Sequence, residues 1–390
     1  MRIAVVVRSL KFGGMERAAC NQADAFFQAG HDVDLIYFSN KNKTIAPKEK
    51  GVNIYFMDIN KIMKKSFSGF LWNLFSKIMN IFLRGTYPLF KGFYTSSIFE
   101  KELKKLENGK PYDLILVRGQ GSFEQLWRFK DSRVIRISVN VSTKKTSSIK
   151  DKIISKAYFE NVHLNCNSEG GKYFFERKLK RENVKPLSLK AIRNPFFKEK
   201  IISMAKEKND EIPNEPYILG VGRLVNAKNF ELLIDTYIYL KNNFNFDYKL
   251  VLVGDGSSRK ALKKKVLDSK LQKEVIFAGY QKNPYNWMKN AEMFVLTSKF
   301  EGLCGVLIEA MCCQTRIVAS KSPGGVKELM SGKNMKENLV EPEANRLAEQ
   351  VIKVIKQEKE FYFDDYSKML ATLEPSFVVK QWLEYTKREF

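Results

Sequence analysis

Histidine and cysteine are scarce in this sequence, which has two histidines and five cysteines among 390 residues. No two cysteines have the CxxC spacing of a zinc-ligand pair, and two histidines add few further ligands. Most of the cysteines stand in apolar surroundings, as free thiols do when they act as small hydrophobic side chains. We therefore expect a protein of the reducing cytosol, without a bound metal.

Long hydrophobic runs and internal repeats are absent as well. No uncharged apolar stretch reaches the roughly 18 residues that a membrane-spanning helix needs. The apolar run near the N-terminus is broken by Arg8 and Lys11, so it predicts a first strand rather than a signal peptide. We expect a chain of 390 residues to form two domains, because one hydrophobic core rarely serves so many residues.

Acidic residues are few in the first half of the chain. Residues 1–200 contain 38 Lys and Arg against 18 Asp and Glu, whereas residues 201–390 contain 29 against 25. The first half thus carries +20 of the net charge of +24. Such an excess favours a polyanionic partner, which is a nucleic acid, an anionic membrane or a phosphorylated substrate. No RRM, helix-turn-helix or KH signature accompanies the charge, so we expect no nucleic acid.

Apolar segments of strand length alternate with helical patterns along the chain. This alternation predicts an α/β architecture with parallel sheets covered by helices. The pattern restarts after residues 194–216, whose three prolines and polar run predict the joint between two domains. We predict an N-terminal domain over residues 1–195, a C-terminal domain over 196–375 and a last helix, over 376–390, that packs back on the N-terminal domain.

Residues 62–84 form a helical pattern that is rich in aromatic side chains and begins among lysines. One face of the helical wheel is wide and apolar and carries Phe67, Phe70, Leu71, Leu74, Ile78 and Phe82. The opposite face carries Gly69, Asn73, Ser76, Lys77, Asn80 and Arg84. Two structures agree with this pattern: an amphipathic helix in a membrane interface, and a helix wedged into the core of its own domain. The sequence leaves both open.

The most specific chemical motif is SKFEGLCGVLIEAM at residues 298–311. It places Glu301 in a glycine-rich loop after a predicted strand, and Glu309 in the helix that follows. In open α/β sheets, ligands bind at such strand-to-helix junctions. Two acceptor carboxylates suit a ligand with many hydroxyls, and the helix N-terminus between them suits an anion. A sugar attached to a phosphate has both features.

Two other loops carry groups that suit a phosphate. Gly13 and Gly14 follow the first predicted strand and open a helix, which is typical of a phosphate contact or of a plain tight turn. Gly222 and Arg223, followed by Lys228, come after the first predicted strand of the second half. The two cations are able to neutralise a diphosphate, although a solvated loop has the same pattern.

The remaining loops are less specific. The GDG sequence at residues 254–256 is more typical of a turn than of a ligand contact. Tyr280 and Gln281 end another predicted strand, where they are placed to read the edge of a nucleobase. The SPGG sequence at residues 322–325 precedes a short helix and is interpreted as a turn.

Taken in order, these segments resemble the GT-B-fold retaining glycosyltransferases of glycosyltransferase family 4, of the type that assembles bacterial lipopolysaccharide and lipid-linked glycans. The resemblance covers most of the chain and is firmest over residues 220–329. The segments that carry it are GVGRLVNAKN, VGDG, AGYQKNP, SKFEGLCGVLIEAM and GGVKEL, with GGMER and AGHDV near the N-terminus. It implies a GT-B fold, in which two Rossmann-like doubly wound domains face each other across a cleft. The first would bind the acceptor and the second the nucleotide-sugar donor.

The resemblance also implies roles for the matching residues. Arg223, Lys228 and Glu301 would be catalytic: the two cations would stabilise the leaving nucleoside diphosphate without a metal, and Glu301 would bind hydroxyls of the donor sugar. Glu309 would hold the ribose hydroxyls. The other donor-binding residues that the resemblance implies are Gly14, Gly222, Tyr280, Gln281, Gly302, Leu303, Cys304, Gly305 and Val306.

One position departs from the family pattern. Many relatives carry a histidine beside the donor sugar in the first domain, whereas Asn140 stands at the matching place here. Asparagine can hydrogen-bond a hydroxyl but cannot titrate, so Asn140 is retained only as a sugar contact.

The activity that the resemblance implies is transfer from a nucleotide sugar, with UDP favoured over GDP and no other cofactor. The acceptor would be a phosphorylated or lipid-linked glycan, and the enzyme would be cytoplasmic, bound peripherally to the anionic inner face of the cytoplasmic membrane. A nucleotide-sugar epimerase of the same fold and an inactive, basic membrane-binding relative are the alternatives. The EGLCGVLIE motif favours the transferase.

Overall fold

The computed structural model describes the protein over residues 1–11, 13–40, 44–138 and 146–389. The chain divides into two compact units, which we call unit 1 (Met1–Phe196 with Pro375–Phe390) and unit 2 (Phe197–Glu374). Over these residues, each unit contains one sheet, and every strand pair in both sheets is parallel. The α/β class and the two Rossmann-like domains predicted from the sequence are thereby confirmed.

In the described part of unit 1, the sheet has seven strands. They are β1 (Arg2–Ser9), β2 (Asp32–Ser39), β3 (Asn53–Phe56), β4 (Leu114–Arg118), β5 (Val134–Ser138), β6 (His163–Cys166) and β7 (Ser188–Ala191). Their order in the sheet is β3-β2-β1-β4-β5-β6-β7. The residues of β1 from Ile3 to Val7 are all fully buried, as expected of a parallel strand that is covered on both faces. The winding direction reverses between β1 and β4, which is the switch point of this sheet.

Helices connect these strands, and a helix from the C-terminal end of the chain belongs to the same unit. They are α1 (Gly14–Gln28), α2 (Ile59–Lys65), α3 (Phe67–Phe82), α4 (Tyr87–Glu107), α5 (Gln120–Leu126), α6 (Ile149–Phe159), α7 (Glu169–Glu182) and, at the C-terminus, α16 (Pro375–Glu389). Helix α16 packs against α1. Its Tyr385 hydroxyl lies 2.6 Å from the hydroxyl of Ser188 in β7, so the last helix is part of unit 1.

The sheet of unit 2 has six strands. They are β8 (Tyr217–Val221), β9 (Lys249–Val253), β10 (Val275–Gly279), β11 (Met293–Leu296), β12 (Arg316–Ser320) and β13 (Leu339–Val340), in the order β10-β9-β8-β11-β12-β13. Its helices are α8 (Lys198–Ala205), α9 (Phe230–Phe244), α10 (Arg259–Asp268), α11 (Tyr285–Asn290), α12 (Gly305–Cys312), α13 (Val326–Leu329), α14 (Ala344–Ile355) and α15 (Phe363–Ala371). The switch point of this sheet lies between β8 and β11.

Helix α8 was not expected from the sequence, which indicated only a polar joint over residues 194–216. The helix buries Ile201 and Ala205 and packs against α11 and α12 of unit 2. The polar run that favoured a linker begins only after this helix ends. Helix α8 is short and its apolar pattern is weak, so the sequence gave no helical signal beside the nearby prolines.

Helix α3 resolves the two interpretations of residues 62–84. Its buried residues are Gly69, Asn73 and Ser76, which belong to the polar face of the wheel. The apolar face points to solvent instead and exposes Phe67, Phe70, Leu71, Leu74, Ile78 and Phe82. The interpretation that wedged this face into the core is therefore wrong. In the part of the chain that the structure describes, no helix is both long and apolar enough to cross a membrane.

Candidate functional site

The switch point of unit 2 brings together two loops that are far apart in sequence. Strands β8 and β11 are neighbours, and the loops at their carboxyl ends hydrogen-bond to each other. The hydroxyl of Thr297 donates to the carbonyl oxygen of Asn229 over 3.0 Å. The backbone N–H of Lys299 donates to the carbonyl oxygen of Ala227 over 2.9 Å. These hydrogen bonds join the two loops at the position where open α/β sheets bind ligands.

An ion pair also joins the two loops, between Lys228 of the first and Glu301 of the second. The Nζ of Lys228 lies 2.6 Å from Oε1 of Glu301, and their side chains are 24% and 10% exposed. Lys228 ends a 3₁₀ turn, Asn226–Lys228, and Asn229 then takes a left-handed conformation with φ of 51°. This sharp turn directs the lysine across to the neighbouring loop. Two residues for which the resemblance implies a catalytic role are thus in direct contact, although 73 positions separate them.

Backbone contacts from a third loop hold Glu301 in place. Its N–H donates to the carbonyl oxygen of Pro323 over 3.0 Å, and the residue forms a parallel bridge with Gly324. Gly325 donates to the carbonyl oxygen of Gly302 over 2.8 Å, and a Cβ added at Gly325 would lie 2.6 Å from that oxygen. The SPGG sequence, which we interpreted as a turn, therefore also supports the carboxylate loop. Its paired glycines were the available signal, because they permit this close approach.

Helix α12 begins directly after Glu301 and its glycine-rich loop. Cys304 precedes the helix in a left-handed conformation, with φ of 64°, and is buried like Leu303. Burial raises the pKa of the Cys304 thiol well above its usual value, so it remains protonated and packs as a small apolar group. Gly305 and Val306 are partly exposed. The first N–H groups of a helix have no partner within the helix, which makes this end suitable for an anion.

Glu309 lies one turn further along α12 and is half-buried. The Tyr285 hydroxyl of α11 donates to its Oε1 over 3.4 Å. Glu301 and Glu309 belong to different elements, and each has its own partner. This arrangement does not resemble a carboxylate pair that shares a proton, and it suits two separate sets of hydroxyls.

The loop after β8 is held by close backbone packing. Gly222 and Gly254 have φ of 154° and 138°, conformations that glycine readily adopts. A Cβ at Gly254 would lie 1.9 Å from the carbonyl oxygen of Gly222, so the GDG loop supports the loop that carries Arg223. Arg223 itself is exposed, and among the described residues it forms no ion pair. Its guanidinium is therefore available to a ligand.

Tyr280 and Gln281 lie apart from these residues along the sheet. They follow β10, which is an edge strand and is separated from β8 by β9. Tyr280 is 60% exposed. The side-chain amide of Gln281 donates to Glu211 and to the carbonyl oxygen of Ala278, each over 3.0 Å. The structure therefore groups Lys228, Glu301 and the start of α12, but leaves this predicted nucleobase contact at the edge.

In unit 1, Gly14 is the first residue of α1 and follows Gly13, whose backbone is extended. A Cβ added at Gly14 would meet no atom within 4 Å, so the backbone here is open to a ligand. Asn140, the other unit 1 residue suggested by the sequence, lies outside the described residues.

Sequence reasoning missed Arg118, a buried arginine at the carboxyl end of β4. Its guanidinium donates to Gln22 of α1 and, over 2.7 Å, to Oδ1 of Asn194. Desolvation lowers its pKa to about 10, so it stays charged at neutral pH. The signal was an arginine within the apolar strand LILVR. Arg118 connects the switch-point strand β4 to α1 and to the end of the first segment of unit 1.

The family profile described as glycosyl transferases group 1 matches residues 202–368, which include nearly all of unit 2. Over 177 residues, this chain is 32% identical to a Campylobacter jejuni N-acetylgalactosamine-N,N'-diacetylbacillosaminyl-diphospho-undecaprenol 4-alpha-N-acetylgalactosaminyltransferase. That alignment covers 45% of this chain and 46% of the relative, so the chain spans about half of that protein's length.

Two longer similarities extend over unit 1. A second C. jejuni protein, the GalNAc-alpha-(1->4)-GalNAc-alpha-(1->3)-diNAcBac-PP-undecaprenol alpha-1,4-N-acetyl-D-galactosaminyltransferase, is 25% identical over 85% of this chain and 82% of its own length. The solved structure of Anabaena HepE in complex with UDP and glucose covers all of both chains, with a TM-score of 0.69 and 18% identity. Such low identity establishes the fold only. The protein thus carries a domain of the glycosyl transferases group 1 family, in a chain of GT-B fold.

Proposed function

We propose that this protein is a retaining glycosyltransferase that moves a sugar from a nucleoside diphosphate sugar to a lipid-linked or lipopolysaccharide-type glycan. The observation that carries the proposal is the ion pair of Lys228 and Glu301 at the switch point of unit 2, beside the N-terminus of α12. Its Nζ and Oε1 atoms lie 2.6 Å apart. A cation, a carboxylate and the N–H groups of a helix N-terminus are the groups that a sugar diphosphate requires.

The names of the relatives support this class of donor and acceptor. Two Campylobacter relatives are named for transfer of N-acetylgalactosamine to undecaprenol-diphosphate glycans, and a Rhizobium meliloti relative is a lipopolysaccharide core biosynthesis glycosyltransferase. The HepE structure contains UDP. We therefore favour a UDP-sugar over a GDP-sugar as donor, and an acceptor whose phosphates meet the basic unit 1.

The proposed mechanism depends on the charge that develops on the leaving diphosphate. As the bond between the anomeric carbon and the diphosphate breaks, negative charge grows on the leaving phosphate oxygen. Arg223 and Lys228 stabilise that charge, and the N–H groups at the start of α12 add fixed dipoles, so no metal is required. Glu301 orients the sugar through its hydroxyls. The acceptor oxygen attacks from the face that the phosphate leaves, and its proton passes to the phosphate oxygen, so no side-chain base takes part.

The proposed location is the inner face of the cytoplasmic membrane, where a lipid-linked acceptor would be available. Unit 1 contains almost all of the first 200 residues, which carry a net charge of +20. This charge favours both an anionic lipid surface and the phosphates of the acceptor.

Calorimetry with UDP in the presence of EDTA tests the donor site. We expect wild-type protein to bind UDP, and to bind 2′,3′-dideoxy-UDP about 10- to 100-fold more weakly, because hydrogen bonds from hydroxyls to a carboxylate contribute about 1.5–3 kcal/mol. Glu309→Ala should weaken binding of UDP by a similar factor. The variant should no longer distinguish the two nucleotides, since the partner of the ribose hydroxyls is gone.

The matched control is Glu360→Ala, which removes an exposed glutamate of unit 2 and should leave both affinities unchanged. If wild-type protein binds neither UDP nor GDP, the transferase proposal is wrong. If Glu309→Ala still prefers UDP by the same factor, Glu309 does not hold the ribose. Incubation with UDP-sugars then separates a transferase, which releases UDP, from an epimerase, which returns an isomeric donor.

Gly14→Ala tests the donor-binding role that the resemblance implies for Gly14. The added methyl group meets no atom within 4 Å, so the melting temperature should not fall. If the Gly14 backbone approaches the donor diphosphate, the methyl group will hold the phosphate away and raise the donor KM about tenfold, the effect of losing one charged hydrogen bond. An unchanged KM in steady-state kinetics would remove Gly14 from the site.

A further inference from the structure

Helix α3 has the reverse of the usual arrangement for a helix on a globular protein. Nine large apolar residues on it and just after it are exposed: Phe67, Phe70, Leu71, Leu74, Phe75, Ile78, Ile81, Phe82 and Leu83. At 100° per residue, the eight that belong to the helix occupy an arc of about 140°. Phe67, Ile81 and Phe82 are 80%, 74% and 76% exposed. A continuous apolar surface of this kind marks an interaction site.

The polar face of α3 is fixed to the body of unit 1, so the outward direction of the apolar face is a feature of the fold. The Tyr87 hydroxyl donates to Oδ1 of Asn73 over 3.0 Å, and Nε1 of Trp72 donates to the carbonyl oxygen of Phe90 over 2.7 Å. A Cβ at Gly69 would lie 2.1 Å from the carbonyl oxygen of Met63, which shows how closely α3 packs against α2. A half-turn rotation to bury the apolar arc would break all of these contacts.

The charged residues of the segment that carries this surface all have one sign. Residues 59–99, which include α2, α3 and most of α4, contain no Asp or Glu. Their six basic residues are Lys61, Lys64, Lys65, Lys77, Arg84 and Lys91. Five of these are exposed, and Lys91 is half-buried.

Helix α6 extends the same surface. Nζ of Lys150 donates to the carbonyl oxygen of Arg84, which brings the start of α6 to the end of α3. Ile149 and Ile153 are 78% and 54% exposed beside this contact. Exposed apolar and basic side chains therefore continue from α3 onto α6.

We infer that α3 lies in the plane of an anionic bilayer, with its apolar arc among the acyl chains and the surrounding lysines at the phosphate level. The helix is 16 residues and therefore about 24 Å long, which is shorter than the roughly 30 Å that a span requires. Apolar side chains flanked by lysines are the composition of an interfacial helix. This inference depends only on unit 1 and stands independently of the donor chemistry of unit 2.

The charge pattern decides against a second copy of this chain as the occupant of the surface. Two α3 helices packed face to face would bring together two sets of six cations without a single acidic residue of the segment to pair with them. Like charges facing each other destabilise an interface, whereas each Lys or Arg near an anionic membrane contributes favourably.

Vesicle flotation tests this inference. We expect the wild-type chain to float with vesicles of phosphatidylcholine and anionic phosphatidylglycerol, and to bind vesicles of phosphatidylcholine alone at least tenfold more weakly. The triple variant Phe70→Ser, Leu74→Ser, Ile78→Ser should lose at least tenfold in partitioning to the mixed vesicles. Lys64→Glu with Lys65→Glu should lose a similar factor and leave the apolar arc intact.

The matched control replaces two exposed apolar residues of unit 2, Leu267→Ser with Phe361→Ser, and should float like wild type. Melting curves and UDP calorimetry on every variant show whether the chain is folded, and separate loss of membrane binding from loss of the donor site. Wild-type protein that fails to float, or a triple variant that floats as well as wild type, would overturn the inference. So would a wild-type dimer in solution that the triple variant converts to monomer without any effect on flotation.

Discussion

Replacing Lys228 with alanine should lower kcat of sugar transfer about a thousandfold, the upper end of the effect of one group that stabilises charge in a transition state. Two losses combine in this variant. The leaving diphosphate loses a cation, and Glu301, whose side chain is 10% exposed, loses the partner 2.6 Å away. A carboxylate that is buried without its partner is expected to move, so the donor sugar also loses its orientation. Single-turnover assays with saturating donor give the required measurement.

Lys299→Ala is the matched control, because Lys299 belongs to the same pair of loops but is exposed and donates to Oδ1 of Asn226 over 2.8 Å. It should change kcat by less than about twofold, as most surface substitutions do. Glu301→Ala should lower kcat by a similar factor, and the double variant should be no worse than Lys228→Ala, because the two residues act as one unit. A Lys228→Ala variant with unchanged turnover and an unchanged melting curve would exclude this lysine from catalysis.

Gly254→Ala should destabilise unit 2 by about 3 kcal/mol and weaken binding of the donor. Two costs add: the φ of 138° disfavours any side chain, and the new methyl group would lie 1.9 Å from the carbonyl oxygen of Gly222. The oxygen belongs to the loop that presents Arg223, so relief of the clash moves a proposed catalytic cation. Denaturant unfolding and UDP calorimetry on the same sample measure both effects.

Gly279→Ala separates the two costs. Gly279 also has a positive φ, of 71°, but a Cβ there meets no atom within 4 Å. Its replacement should cost only about 1 kcal/mol of backbone strain and should not change the position of the Arg223 loop. Equal losses of stability in the two variants would show that the contact between Gly254 and Gly222 contributes nothing beyond strain.

Much of the architecture could be predicted because parallel strands have a simple signature. Segments such as IAVVV and LVLV are apolar throughout, and strands buried on both faces need such runs. Loops that follow these runs fall at the carboxyl edge of a sheet, so Lys228 and Glu301 were expected near a ligand. Helix α8 escaped prediction because its stability comes from packing against α11 and α12 rather than from a strong local pattern.

The details of the site depended on which strands became neighbours. Nothing in the sequence near Lys228 names Glu301 as its partner, and only the position of β8 beside β11 brings the two side chains together. The support that residues 322–325 give to the Glu301 loop has the same origin. The roles implied for all of the site residues remain predictions, and Asn140 lies outside the described residues.

The sequence by itself determined two parallel-sheet domains, the family of the second, the basic character of the first and an amphipathic helical pattern at residues 62–84. The structure divides those residues between the end of α2 and helix α3. Only the tertiary structure decided which face of α3 is outside. A helical wheel gives the spacing of side chains but not the direction of the core, and here the hydrogen bonds of Asn73 and the close packing of Gly69 fix the polar face inward. Tertiary structure likewise joined Lys228 to Glu301, because a contact across 73 residues depends on the order of strands in the sheet rather than on local periodicity.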